Sequence, residues 1–182
     1  MEKLIGRLKK GDRKAQKELY DKYSKIFYVI CLRYAANTDE ANDLLQEGFI
    51  KIFLKIKQYS GRGSFEGWMK KIIVNNAINN YHKTRKQRYK EDIDNLYNLE
   101  SDDKYYEDTD FTYEELITLI QKLPKGYRTI FNLYAIEGYK HKEISEMLNI
   151  SESTSKSQYH RAKKILQVWL IKIKEQRNAK EL

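Results

Sequence analysis

The stretch Glu143-Ile144-Ser145-Glu146-Met147-Leu148-Asn149-Ile150-Ser151-Glu152-Ser153-Thr154-Ser155-Lys156 decides the reading of the chain. Ile144, Met147 and Leu148 recur at helical spacing. Asn149 tolerates the left-handed conformation that ends a helix, and Ser151 is a good N-cap for a second helix running from Glu152 to about Lys174. Two helices joined by a few turn residues, the second rich in Lys and Arg, describe a helix-turn-helix. In that arrangement the first turns of the second helix enter the major groove of DNA, where donors and acceptors distinguish all four base pairs. Those turns here offer Ser153, Thr154, Ser155, Ser157 and Gln158. The helix carries Lys156, Arg161, Lys163, Lys164, Lys172, Lys174 and Arg177 against Glu152 and Glu175. A merely solvated helix would also be rich in lysine; the coincidence of turn, cap and basic face favours a DNA reader.

Upstream, Tyr127, Ile130, Phe131, Leu133, Tyr134 and Ile136 predict a helix stopped by Gly138. Leu116, Leu119, Ile120 and Leu123 predict one that ends before Pro124. This second domain begins near Thr112. Before it, Glu91 to Glu115 holds eleven acids and one base, Lys104, a net charge of −10, so the other 157 residues carry +19. With few aliphatics and no periodic apolar face, the segment reads as a flexible acidic linker.

The first domain reads as a helical bundle. Leu19, Tyr23, Ile26, Phe27, Ile30, Cys31 and Tyr34 mark one face of a helix from about Asp12, its N-cap, to Ala36. Thr38 is the expected cap of a second helix, with Ala41, Leu44, Leu45, Ile52, Phe53 and Ile56 as its stripe. The residues from Gln58 to Ser64 contain two glycines and predict a loop. A third helix from Phe65 to about Arg88 has Trp68, Met69, Ile72, Ile73 and Ala77 on its apolar side. Between Phe65 and Lys90 stand seven bases and one acid, Glu66, with Asn75, Asn76, Asn79 and Asn80 in the middle. A basic track flanked by aromatics suits single-stranded DNA. Phe65 and Trp68 sit at core spacing, which leaves the loop freer to hold an unstacked base.

Composition bounds the rest. The 182 residues carry 35 Lys and Arg against 26 Asp and Glu, a formal charge of +9, which points to a polyanionic partner. No apolar stretch approaches the ~20 residues of a spanning helix, so no membrane insertion is expected. The first eleven residues have no apolar core and do not read as a signal peptide. The single cysteine, Cys31, cannot form an internal disulfide and fits a reducing cytoplasm. His82, His141 and His160 lie far apart with no cysteine cluster near them, so no metal or cofactor is expected. Eight glycines and one proline fit an all-α chain.

In this order the motifs resemble those of an extracytoplasmic-function sigma factor, the small two-domain class of bacterial sigma factors. Asp39-Glu40-Ala41-Asn42-Asp43-Leu44-Leu45-Gln46-Glu47-Gly48-Phe49 looks like the family's polymerase-clamp region. Phe65-Glu66-Gly67-Trp68-Met69-Lys70-Lys71-Ile72 with Asn75 looks like its minus-ten-reading and melting helix. Leu123-Pro124, Glu137-Gly138-Tyr139, Glu143-Ile144 and the stretch from Ile150 to Leu166 look like its minus-thirty-five reader. Ser153 and Ser155 stand where the family often has glycine and valine, and Asn79 where an aspartate is common.

The resemblance implies region 2 over residues 1–90, a linker over 91–111 and region 4 over 112–182. It implies a non-enzymatic factor that binds core RNA polymerase, directs it to promoters and helps melt duplex DNA. An anti-sigma factor is a further implied partner. Core polymerase would be met by Asp43, Gln46, Glu47 and Phe49. The minus-ten DNA, partly single-stranded, would be met by Tyr59, Ser60, Arg62, Lys70, Lys71, Asn75, Asn79, Arg85 and Arg88. The minus-thirty-five duplex would be met by Ser151, Ser153, Thr154, Ser155, Lys156, Ser157, His160, Arg161 and Lys164. A helix-turn-helix regulator acting without polymerase is the alternative, and it leaves the basic first domain unexplained. A nuclease or recombinase would need gathered carboxylates for metal, and no motif gathers them.

Overall fold

The computed structural model describes residues 1–85 and 111–179, and its regular elements there are all helical. The chain divides into two compact units, Met1–Asn80 and Tyr81–Leu182. The acidic linker lies outside the described residues apart from Phe111.

The first unit opens with a short helix that was not among the expected elements, α1 (Glu2–Lys9), which buries only Leu4 and Leu8. Gly11, at φ +79°, turns the chain into α2 (Arg13–Tyr34). Asp12 caps α2 as expected, its Oδ1 accepting from the amides of Lys14 (2.8 Å) and Ala15 (3.2 Å). The Arg7 guanidinium, followed by those amides, holds the Asp12 carboxyl below the usual carboxylate range. Ala15, Leu19, Tyr23, Phe27, Ile30, Cys31 and Tyr34 are buried along α2. Ile26 is 48% exposed, contrary to its expected place on that face. It precedes Phe27 directly, and one residue is a rotation of about 100°.

Helix α3 (Thr38–Lys55) is capped by Asn37, whose Oδ1 accepts from the Glu40 amide at 2.8 Å; Thr38 is already its first helical residue. A 3-10 turn (Ile56–Gln58) and the loop lead to α4 (Phe65–Arg85). There the Ser64 hydroxyl accepts from the Gly67 amide at 3.2 Å. Met69, Ile72, Ile73, Val74, Ala77 and Ile78 are all buried, so α4 is covered on more sides than one apolar stripe implies. Where it crosses α3, Gly48 leaves room for Ile73: a Cβ at Gly48 would overlap the Ile73 Cδ1 methyl. Polar contacts add to this crossing. Buried Asn76 donates to the Leu44 carbonyl (3.0 Å) and accepts from Lys51, and Asn80 donates to Glu40 (2.7 Å).

The first helix lying wholly in the second unit is α5 (Tyr113–Lys122), which has a capping box: the Glu115 amide donates to Thr112 Oγ1 and the Thr112 amide to Glu115 Oε2. On α5, Ile117 is buried and Leu116, expected in the stripe, is 37% exposed. After Pro124 comes α6 (Lys125–Phe131), which runs on through a π-helical turn (Asn132–Ile136) instead of a plain α-helix. That wider turn leaves Tyr134 and Ile136 outside. Gly138, at φ +78°, ends it. Helix α7 (His141–Leu148) closes on Asn149 at φ +51°, and Ser151 caps α8 (Glu152–Asn178) by accepting from the Thr154 amide at 3.0 Å. The core joins Leu119, Leu123, Ala162, Ile165 and Leu166, with Trp169, Leu170 and Ile173 packed against it. Those last turns carry α8 beyond its expected end at Lys174, to where Arg177 pairs with Glu115.

Candidate nucleic-acid interface

On α3, Asp43, Gln46 and Glu47 are exposed. Spacings of three and four place them on one face. Phe49 does not join them. It is 2% exposed and its ring lies 4.7 Å from Tyr20, 5.9 Å from Phe27 and 5.9 Å from Phe53, so it shapes the helix from within. The same outer face continues through Ile50 and Leu54, exposed apolar residues that the sequence reading passed over. Their signal is spacing, Ile50 standing four residues beyond Gln46 and Leu54 four beyond Ile50.

The loop is more ordered than two glycines suggest. Tyr59 is buried against Phe65 (5.0 Å between ring centroids) and Trp68 (5.4 Å), and its hydroxyl donates to the Gly63 carbonyl at 2.8 Å. Tyr59 therefore cannot wrap a base as expected; the exposed residues are Ser60, Gly61, Arg62, Gly63 and Ser64. Gly61 and Gly63 hold φ of +83° and +76°, a region that disfavours other residues. Along α4, exposed Lys71, Asn75 and Asn79 form a row at i, i+4 spacing, with Lys70 half-buried beside it. Arg85 ends the described part of α4, its side chain undescribed, and Arg88 lies outside the described residues.

On α8 the helical repeat puts Ser153, Lys156, Ser157, His160, Arg161 and Lys164 on one face. All but half-buried Lys164 are exposed. Ser151 and Thr154 belong to the cap, where the Ser151 hydroxyl meets those of Ser153 and Thr154 at 2.8 Å each. Lys156 pairs with Glu152 at 2.7 Å, and both are open to water. Such a pair contributes little and exchanges readily for a phosphate. Ser155 is the exception: it is fully buried and meets His141 Nδ1 at 3.0 Å, out of reach of DNA. The Ala162–Leu166 stripe, extended back by helical steps, reaches position 155, and that was the available signal.

His141 also stacks on Tyr134 (4.1 Å, 11°) and tilts against Tyr159 (5.8 Å). Burial, then the Lys156 charge, pushes its imidazole below the ordinary value, with Glu152 acting the other way. A depressed folded pKa means that the unfolded chain binds the proton more readily. The stability this site contributes is therefore present above about pH 6.5 and lost as pH falls through the folded pKa. The second unit's melting temperature should drop from pH 7 to 5 more steeply in the native chain than in His141→Phe. Equal slopes would show that His141 stays uncoupled from folding.

Residues 19–88 match the family model Sigma-70 region 2 and residues 113–166 match Sigma-70, region 4. The chain is 31% identical over 176 residues to the ECF RNA polymerase sigma factor SigW of Bacillus subtilis, covering 91% of this chain and 94% of that one. It is 27% identical to the ECF RNA polymerase sigma-E factor of Haemophilus influenzae, over 90% of this chain and 92% of the other. Among solved structures, the sigma factor RpoE from Bartonella quintana, crystallised with the anti-sigma factor NepR, shares the fold. It has a TM-score of 0.50 at 16% identity over 85% of this chain and 95% of that chain. Both matched regions fall on the helices that carry the exposed polar rows, and the chain belongs to the extracytoplasmic-function family of RNA polymerase sigma factors.

Proposed function

We propose that the chain docks on core RNA polymerase through the α3 face and reads a promoter at two places. Asp43, Gln46 and Glu47 form the polar part of the docking face and Ile50 and Leu54 its apolar end. An acidic and apolar stripe on a chain of net charge +9 suits a partner surface that is basic and apolar rather than DNA. The minus-ten strand is met by Ser60, Arg62, Lys71, Asn75 and Asn79 with Lys70, and Arg85 and Arg88 extend the basic track. The minus-thirty-five duplex is met by Ser153, Lys156, Ser157, His160, Arg161 and Lys164. Region 2 occupies residues 1–90 and region 4 residues 112–182, with the acidic linker keeping 91–111 off the DNA. Polymerase supplies the chemistry, so this chain needs no catalytic group, cofactor or metal. It works in the cytoplasm and is restrained by an anti-sigma factor.

The observation that carries the reading is the α4 row with its ordered loop, which a helix-turn-helix regulator would not need. Core polymerase plus this chain on genomic DNA should start transcripts at a defined set of promoters, and their sequencing tests it. Duplex binding with no initiation would leave a regulator. In a binding titration against core polymerase, Asp43→Ala with Glu47→Ala should weaken binding about tenfold with thermal stability unchanged, since both residues are exposed. Unchanged affinity would remove the docking role from that face.

Lys156→Ala or Arg161→Ala should weaken minus-thirty-five binding and reduce the salt slope by about one, because each phosphate contact releases counterion. An unaltered slope for both would show that the recognition face has been misplaced.

A further inference from the structure

The base of the minus-ten loop is held from outside the segment that matches Sigma-70 region 2, which begins at residue 19. Lys9, the last residue of α1, donates from Nζ to the Tyr59 carbonyl at 2.8 Å in a partly buried contact. Helix α1 is itself firmly placed. Leu4 and Leu8 are buried, Arg7 Nε donates to Asp12 at 2.8 Å, and Arg7 Nη1 donates to Glu18 at 3.0 Å. Tyr59 is thus fixed at both ends, with its ring and hydroxyl closing the loop on Gly63 and its carbonyl tied back to α1. A hydrocarbon chain would fill the space of the Lys9 stem equally well; the ammonium adds the tie. Residues 60–64 stay exposed beyond it.

We propose that Lys9 is a positioning residue for promoter opening: through the Tyr59 carbonyl, α1 holds the minus-ten loop in the shape that receives an unpaired base. The inference rests on the proposed role of that loop. An ordered loop has already lost the freedom that binding would otherwise remove, so its affinity for the flipped base is greater. Lys9 makes no contact with DNA in this scheme. Releasing the tie lowers opening and leaves minus-thirty-five binding alone.

The test uses the full chain with core polymerase on a promoter mapped from its own transcripts, with permanganate reactivity of thymines reporting opening. Lys9→Met keeps the stem and removes the donor, and opening should fall about tenfold with minus-thirty-five binding unchanged. Lys9→Cys should be equally impaired. Treating that variant with 2-bromoethylamine, whose bromide leaves as the thiolate attacks carbon, restores an ammonium on a stem of similar length and should restore opening. Cys31 is buried and its thiol is pushed up to about 12, so it stays unmodified in the treated native chain, which serves as control. Normal opening by Lys9→Met would overturn the proposal. So would an alkylated Lys9→Cys that remains impaired while the treated native chain works. A loop-shortened chain separates the two levels: if it opens DNA normally, the loop reading fails; if it is inactive and Lys9→Met is normal, only the role of Lys9 fails.

Discussion

Deletion of Arg62 and Gly63 is expected to abolish promoter opening and to leave minus-thirty-five binding intact. The deletion takes away the carbonyl that accepts from the Tyr59 hydroxyl and one of the two left-handed glycines. It also removes the exposed cation of the loop, and the chain from Tyr59 must then reach the Ser64 cap of α4 by a different path. Holding an unpaired base costs a few kcal/mol of lost stacking, which contacts from the protein must offset. A deficit of about 3 kcal/mol lowers opening by roughly a hundredfold. Helix α8 and its cap belong to the other compact unit, so duplex affinity there should be unchanged. Permanganate footprinting of promoter thymines reads the first effect and duplex binding the second. Normal opening by the deletion would make the loop a connector only.

Gly48→Val should destabilise the first unit by about 2 kcal/mol. Local propensity argues the other way, because glycine inside a helix is the poorest choice apart from proline. Packing decides it. The added side chain meets the Cδ1 end of Ile73, which is 1% exposed and has no open space to swing into, so room is made only at a loss elsewhere. Overpacking of this kind costs about 1–3 kcal/mol, more than the propensity gained. For a unit of this size the melting temperature should fall on the order of 10 °C. The two tryptophans, Trp68 and Trp169, lie one in each unit, so Trp68 fluorescence in a Trp169→Phe background follows the first unit alone. An Ile73→Val substitution should recover part of the loss. A midpoint equal to that of native Gly48 would mean that α3 and α4 do not cross so closely.

The sequence by itself determined the features that depend on a few neighbouring residues. Asp12, Asn149, Ser151 and Gly138 act where they were expected, because a cap or a left-handed turn is closed by hydrogen bonds and dihedrals within a few positions. The all-helical class and the polar face of α8 were legible for a similar reason, since helical periodicity is local. Even there, neighbours of like chemistry compete: Asn37 caps α3 in place of Thr38. What only the tertiary structure decided is which functional-looking residues point outward. Phe49, Tyr59 and Ser155 carry the right chemistry in the right motif, yet each is covered, by rings from α2 and α3, by α4 and by α7 respectively. Helix α1 had a local signal, Leu4, Ile5 and Leu8 at helical spacing among charged residues, but it is only about two turns long and was passed over. Lys9 becomes meaningful only when folding brings Tyr59, fifty positions away, to its amine. Burial and long-range contact belong to pairs of elements, and a residue's own neighbourhood in the chain holds no record of the element that will cover it.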